Sequence, residues 1–186
     1  MREISIICLL PEEVSGYYQA LRLKIAMQFG LEINPNVPAH ITLKYPFPVE
    51  NIDEIEKAAE EFCRSQPKTK WRLHGFNHFI NPDKHVVFID AIPSKETRAA
   101  HASFLDRLKR IGWVQWGVFD NADLHYHVTL ATKGITSKNF EAIWLFVNQQ
   151  EKPNFEVCFD NLAFVQIDGD ERFVSQTYRF LNSGDG

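Results

Sequence analysis

The sequence predicts an α+β fold: two pseudo-symmetric lobes, each an antiparallel sheet with helices packed on its outer face, around a central cleft. Two observations predict it. The order strand, helix, strand, helix, strand occurs twice. Landmark residues of the two copies also stand at near-constant offsets: Pro11 to Pro93 is 93 − 11 = 82, Gly30 to Gly112 is 112 − 30 = 82, and His40 to His127 is 127 − 40 = 87. Extra residues in the Trp113 to Leu124 loop account for the larger third offset. No low-complexity segment or linker parts the copies. Residues 1–186 are therefore expected to form a single bilobal domain, with the repeat roughly at 1–80 and 81–167 and a C-terminal hairpin strand at 172–181.

Each element has a local reason. Ile4 to Leu10 is a β-branched apolar run and reads as a buried strand. Pro11 suits a first helical turn, and Val14, Tyr17, Tyr18, Leu21 and Ile25 recur at helical spacing until Gly30. After the Asn34-Pro35-Asn36-Val37-Pro38 loop, His40 to Tyr45 alternates as a strand, which Pro46 and Pro48 should close. Asn51 with Glu54 resembles a capping box for a helix whose apolar face is Ile52, Ile55, Ala58, Ala59 and Phe62, its Glu and Lys residues forming a solvated face. A strand from about Thr69 to Phe76 should close the first unit.

The second copy repeats this with a strand at His85 to Ile92 and a helix at Thr97 to Arg110. A strand at Tyr126 to Leu130, a helix at Ile135 to Val147 and a strand at Phe155 to Val165 follow. Asp168-Gly169-Asp170-Glu171 is a turn between Leu162 to Ile167 and Phe173 to Phe180.

Composition narrows the function. At 45% hydrophobic, 24% charged and 13% aromatic, the 186 residues suit a packed globular protein. Twenty Lys plus Arg against twenty-four Asp plus Glu give −4, which argues against long nucleic acid held by bulk charge and leaves a small phosphorylated ligand open. Cys8, Cys63 and Cys158 lack any C-x-x-C spacing and are expected to be buried reduced thiols. The early apolar run is too short for a bilayer, and no leader pattern follows it, so a cytoplasmic protein without a membrane partner is expected. A monomer is compatible with the sequence.

Two segments at equivalent places in the repeat share one pattern: His40-Ile41-Thr42-Leu43 and His127-Val128-Thr129-Leu130. Strand alternation puts each His and its Thr on one face, roughly 7 Å apart, and turns Ile41, Leu43, Val128 and Leu130 to the core. A pseudo-twofold between lobes would bring two imidazoles and two hydroxyls into one small space. That set suits phosphodiester chemistry without a metal or cofactor. One neutral imidazole takes a proton from the attacking oxygen, the other gives one to the leaving oxygen, and the hydroxyls hold the non-bridging oxygens. One such tetrapeptide is a weak signal; two at matched positions are a strong one.

On these two motifs, the bilobal repeat and the Pro38-Ala39-His40 approach, the chain resembles the two-histidine phosphoesterase superfamily, which includes the bacterial RNA 2′,5′-ligase-like proteins and 2′,3′-cyclic phosphodiesterases. The resemblance implies a two-lobed fold with a central cleft and no metal. It makes His40 and His127 the catalytic acid and base, and Thr42 and Thr129 the phosphate binders. It departs before the second motif, where the chain reads Asp123-Leu124-His125-Tyr126 and many relatives have a Pro next to the His. The activity it implies is hydrolysis of a 2′,3′-cyclic phosphate or a 2′,5′ linkage at an RNA terminus or in a nucleotide, with 2′,5′ sealing as the reverse reaction. A module that binds RNA ends or nucleotides without turnover is the alternative.

Around the motifs, Lys44 and His125 are candidate substrate contacts. Lys44 adds potential for a phosphate or is a solvated strand-end lysine, and His125 touches substrate or lines the cleft edge. No carboxylate or cysteine stands at ligand spacing for a metal beside His125 and His127. Phe47, Trp113 and Trp116 are candidate stacking platforms or core residues. His74, His78, His85 and His101 carry no partner pattern and read as structural or surface residues.

Overall fold

The computed structural model describes residues 3–34, 37–81, 84–169 and 171–181. Pro35 and Asn36 of the predicted loop and Asp170 of the predicted turn lie outside them. The elements in order are β1 (Glu3–Leu9), α1 (Glu12–Phe29), β2 (His40–Pro48), α2 (Ile52–Ser65), β3 (Thr69–Asn81) and β4 (Lys84–Pro93). They continue with α3 (Lys95–Lys109), β5 (His127–Ala131), α4 (Phe140–Asn148), β6 (Asn154–Phe159), β7 (Asn161–Asp168) and β8 (Glu171–Arg179).

The predicted signals act where they stand. Gly30 closes α1 at a left-handed φ of 65°, its N–H bonded to the Ala26 carbonyl. Asn51 caps α2 by accepting the Asp53 N–H at 3.1 Å, and Ser94 caps α3 by accepting the Thr97 N–H at 3.1 Å. Two boundaries move for physical reasons. β2 passes through Pro46 to Pro48 because it is an edge strand, where a missing N–H breaks no ladder on its outer side. α4 starts only at Phe140 because the Asn139 carboxamide accepts the Thr136 N–H at 2.7 Å and closes the preceding residues into a turn.

The strands form two antiparallel four-stranded sheets, ordered β2-β1-β7-β8 and β5-β4-β3-β6, as the α+β expectation requires. One detail is corrected: residues 1–80 and 81–167 do not each form their own sheet. β3 pairs with β4 and β6, while β7 pairs with β1, so each half lends a strand to the other's sheet. The strand expected over Phe155 to Val165 is accordingly broken at Asp160 into β6 and β7. Buried Asn161 fixes the break, accepting the Leu9 N–H at 2.8 Å and donating to the Leu9 carbonyl at 3.0 Å.

α2 lies against α3, β7 and β8; α3 lies on β3 and β4; α1 lies on α4 and on β5 of the other sheet. The edge strands β2 and β5 meet, and one apolar cluster runs through both halves, from Ile4 and Phe164 to Trp71 and Phe104. Cys8 and Cys63 are buried, whereas Cys158 is exposed because it alternates outward on β6. Among the described residues no helix is long and apolar enough to cross a membrane.

Candidate active site

β2 and β5 carry the two motifs into their mutual contact. Ile41, Leu43, Val128 and Leu130 are buried, and His40, Thr42, His127 and Thr129 are half-buried on the opposite face. The charge of one histidine is felt at the other: His127 is among the groups that act electrostatically on His40.

The two imidazoles are held in the same way. His40 Nδ1 lies 2.8 Å from the Pro38 carbonyl, and His127 Nδ1 lies 3.0 Å from the His125 carbonyl, in each case two residues back along the chain. A carbonyl only accepts, so each Nδ1 carries the proton and each Nε2 is left as the nitrogen that exchanges one. Phe79 and Phe88 pack on the His127 ring at centroid distances of 5.2 and 4.8 Å.

Burial lowers the pKa of both rings. At His40 the Pro38 carbonyl opposes this, while His127, Arg22 and Arg172 push the pKa further down. At His127 the His125 carbonyl and the Asp90 carboxylate oppose it, while His125 and Lys84 add to it. Register explains two of these neighbours. Asp90 stands opposite His127 on β4, and Arg172 stands opposite Ile167, on the face of its sheet that carries Thr42. Cations act on both rings, and His127 also stands beside a carboxylate.

The two further candidates lie differently. Lys44 does not share the face of His40 and Thr42, because the register shifts at Leu43: Thr42 stands opposite Ile7 but Lys44 opposite Ile6, which points the other way. Its side chain is 1% exposed, so it is not a solvated strand-end lysine, and Nζ donates to Asp120 at 2.8 Å. Phe47 and Trp116 surround this ammonium at 4.6 and 5.1 Å, and Trp113 packs on Phe47 while donating to Glu54, so these aromatics gather round Lys44. His125 is exposed and packs with His127 on Phe79, its Nε2 paired with Asp90 at 2.5 Å. Asn77 donates to the other oxygen of Asp90. Among the described residues no three His, Cys, Asp or Glu side chains converge as a metal set.

Arg22, Asp90 and His101 belong to the site's surroundings; the sequence patterns point to no role for Arg22 or Asp90, and they leave His101 as a structural or surface residue. Each left a trace there. Asp90 is the lone charge in the apolar run Val86 to Ile92; Arg22 and His101 fall on the apolar stripes of their helices.

Residues 10–171 match the sequence profile of the 2′-5′ RNA ligase superfamily. No curated protein matches the chain by sequence. Among solved structures the fold is similar to that of TT0787 of Thermus thermophilus, with TM-score 0.72, 18% identity, and 99% of this chain and 100% of that one covered. It is also similar to E. coli LigT complexed with ATP, with TM-score 0.61, 10% identity and coverage of 97% and 98%. A third match is E. coli LigT complexed with 3′-AMP, with TM-score 0.59, 12% identity and the same coverage of 97% and 98%.

Proposed function

The chain belongs to the 2′-5′ RNA ligase superfamily, and from that premise we propose that it is a metal-independent phosphodiesterase of RNA ends or nucleotides. The reaction is opening of a 2′,3′-cyclic phosphate or hydrolysis of a 2′,5′ linkage, with the whole chain working as one bilobal unit. The observation that carries the reading is the matched tethering of the two rings. Each Nδ1–H is spent on a carbonyl two residues back, which frees two Nε2 atoms on adjoining strands for proton exchange.

We assign the roles from the neighbouring charges: His40, whose pKa burial lowers and Arg22 and Arg172 push further down, is taken as the neutral base that accepts the proton of the attacking water. His127, beside Asp90, is the ring that gains a proton once substrate is present and protonates the departing ribose oxygen. The substrate's own anionic phosphate, lodged between the rings, raises the pKa that burial lowers. Thr42 and Thr129 donate to the non-bridging oxygens and hold the phosphorus in line. The reverse, sealing a 2′,5′ end, uses the same groups with the roles exchanged.

LigT structures complexed with ATP and with 3′-AMP show that small nucleotides bind to that relative, which is consistent with a nucleotide or an RNA terminus as ligand here. The test is turnover of 2′,3′-cyclic nucleotides, cyclic-phosphate-ended RNA and 2′,5′-linked oligomers by purified protein in EDTA. Turnover of one class is the expected result; no turnover of any would leave only binding.

A further inference from the structure

Both motifs end in the same backbone irregularity. On β2 the partners step from Thr42 opposite Ile7 to Lys44 opposite Ile6, so Leu43 has no partner on β1. On β5 they step from Thr129 opposite Phe88 to Ala131 opposite Val87, so Leu130 has none on β4. The fourth residue of each motif is therefore a β-bulge, and its backbone leaves the ladder. Both leucines are buried, at 0% and 1% exposure, so their carbonyls need donors from within the protein.

The donors come from the opposite halves. The Leu43 carbonyl accepts from His101 Nε2 of α3 at 2.8 Å, and the Leu130 carbonyl accepts from Arg22 Nε of α1 at 3.2 Å. Both donors are buried, at 0% and 8% exposure. Burial lowers the pKa of His101 to about 4, so its ring is neutral, with the proton on Nε2. Its Nδ1 lies 2.6 Å from the Tyr126 hydroxyl, next to His127. Arg22 Nη1 meanwhile donates at 3.2 Å to the Asn34 carbonyl, on the segment leading into His40. His101 thus links the end of the first motif to the residue before the second, and Arg22 links the end of the second motif to the loop that precedes the first.

We propose that Arg22 and His101 are positioning residues, a pair of reciprocal clamps that hold the two bulges at the spacing at which His40 and His127 reach one phosphorus. The proposal rests on the catalytic reading above. The bonds of both clamps run to backbone carbonyls and the Tyr126 hydroxyl, and through them each fixes an edge strand that has ladder partners on one side only.

The experiment compares Arg22→Met and His101→Phe with the conservative Arg22→Lys and His101→Gln, which keep a donor near the carbonyl. Folding is checked by circular dichroism. With 2′,3′-cyclic AMP, Arg22→Met and His101→Phe should lower kcat roughly 10- to 100-fold, the effect of about 1 Å of misplacement, with KM changed less than about threefold. The conservative variants should recover most of the loss. Crystal structures should show the His40 to His127 separation altered in the first pair and retained in the second. Wild-type kcat in folded Arg22→Met and His101→Phe, or an unaltered separation, overturns the clamps while leaving the catalytic reading intact. Absence of turnover in the wild type overturns the catalytic reading, and the measured separations still decide whether the clamps set the spacing. Should Arg22→Met or His101→Phe fail to fold, the conservative variants decide: a roughly 10- to 100-fold loss of kcat with the separation retained would overturn the proposal.

Discussion

Replacing Lys44 by Met should destabilise the protein severely although Lys44 touches neither histidine. Its ammonium and the Asp120 carboxylate are 1% and 2% exposed and 2.8 Å apart. Asp120 also accepts the Tyr45 N–H at 3.0 Å and the Gly117 N–H at 2.7 Å, so one carboxylate fastens the 113–124 loop to β2 just beyond Thr42. Burial lowers the Lys44 pKa and Asp120 opposes the shift without cancelling it. Removing the ammonium leaves a buried carboxylate uncompensated, at a cost of about 3–5 kcal/mol. For a chain of this size, that lowers Tm by roughly 6–20 °C. Urea denaturation at pH 7 measures it, with Asp120→Asn and the double variant completing a cycle. The double variant should cost less than the sum of the singles by about 0.5–3 kcal/mol. A loss under about 1 kcal/mol for Lys44→Met, the scale of an exposed pair, would refute the reasoning.

Thr42→Ala and Thr129→Ala should each cost about 1–3 kcal/mol of transition-state binding, divided between kcat and KM, with wild-type kinetics ruling out a phosphate contact. The pH dependence of stability should carry the signature of His101, whose folded pKa of about 4 lies below the ordinary 6.5. A depressed His pKa leaves stability intact above 6.5 and removes it as pH falls from 6.5 toward 4, where the unfolded chain takes the proton first; the loss is on the order of 3 kcal/mol. Wild type and His101→Gln compared by denaturation across that window should diverge; parallel curves would contradict it. Turnover should survive EDTA and be bell-shaped in pH, its acid limb displaced below 6.5 because burial lowers both motif histidines. Loss in EDTA restored by a divalent cation would return His125 and His127 to consideration as metal ligands.

Much of the fold was legible because its signals are local. Gly30, Asn51 and the alternation at His40 to Tyr45 each act on their own neighbours, and the repeat supplied the lobes. The exchange of β3 and β7 between sheets was not legible, since strand partnership is a long-range choice and the break at Asp160 is fixed by Asn161 reaching Leu9, far away in sequence. The same holds near the site. Alternation alone places Lys44 beside Thr42, and only the bulge at Leu43, a property of pairing with β1, turns it to Asp120. Arg22 and His101 look like interruptions of apolar stripes until the carbonyls they cap are seen on the opposite half.

The most direct test of two histidines acting on one phosphorus is the rate of 2′,3′-cyclic AMP hydrolysis in EDTA by wild type, His40→Ala, His127→Ala and the double variant. Each single replacement should lower kcat by roughly 10²–10⁴, and the double should be scarcely slower than either, because acid and base serve one transition state. Wild-type turnover by His127→Ala, or losses that multiply in the double variant, would contradict the account.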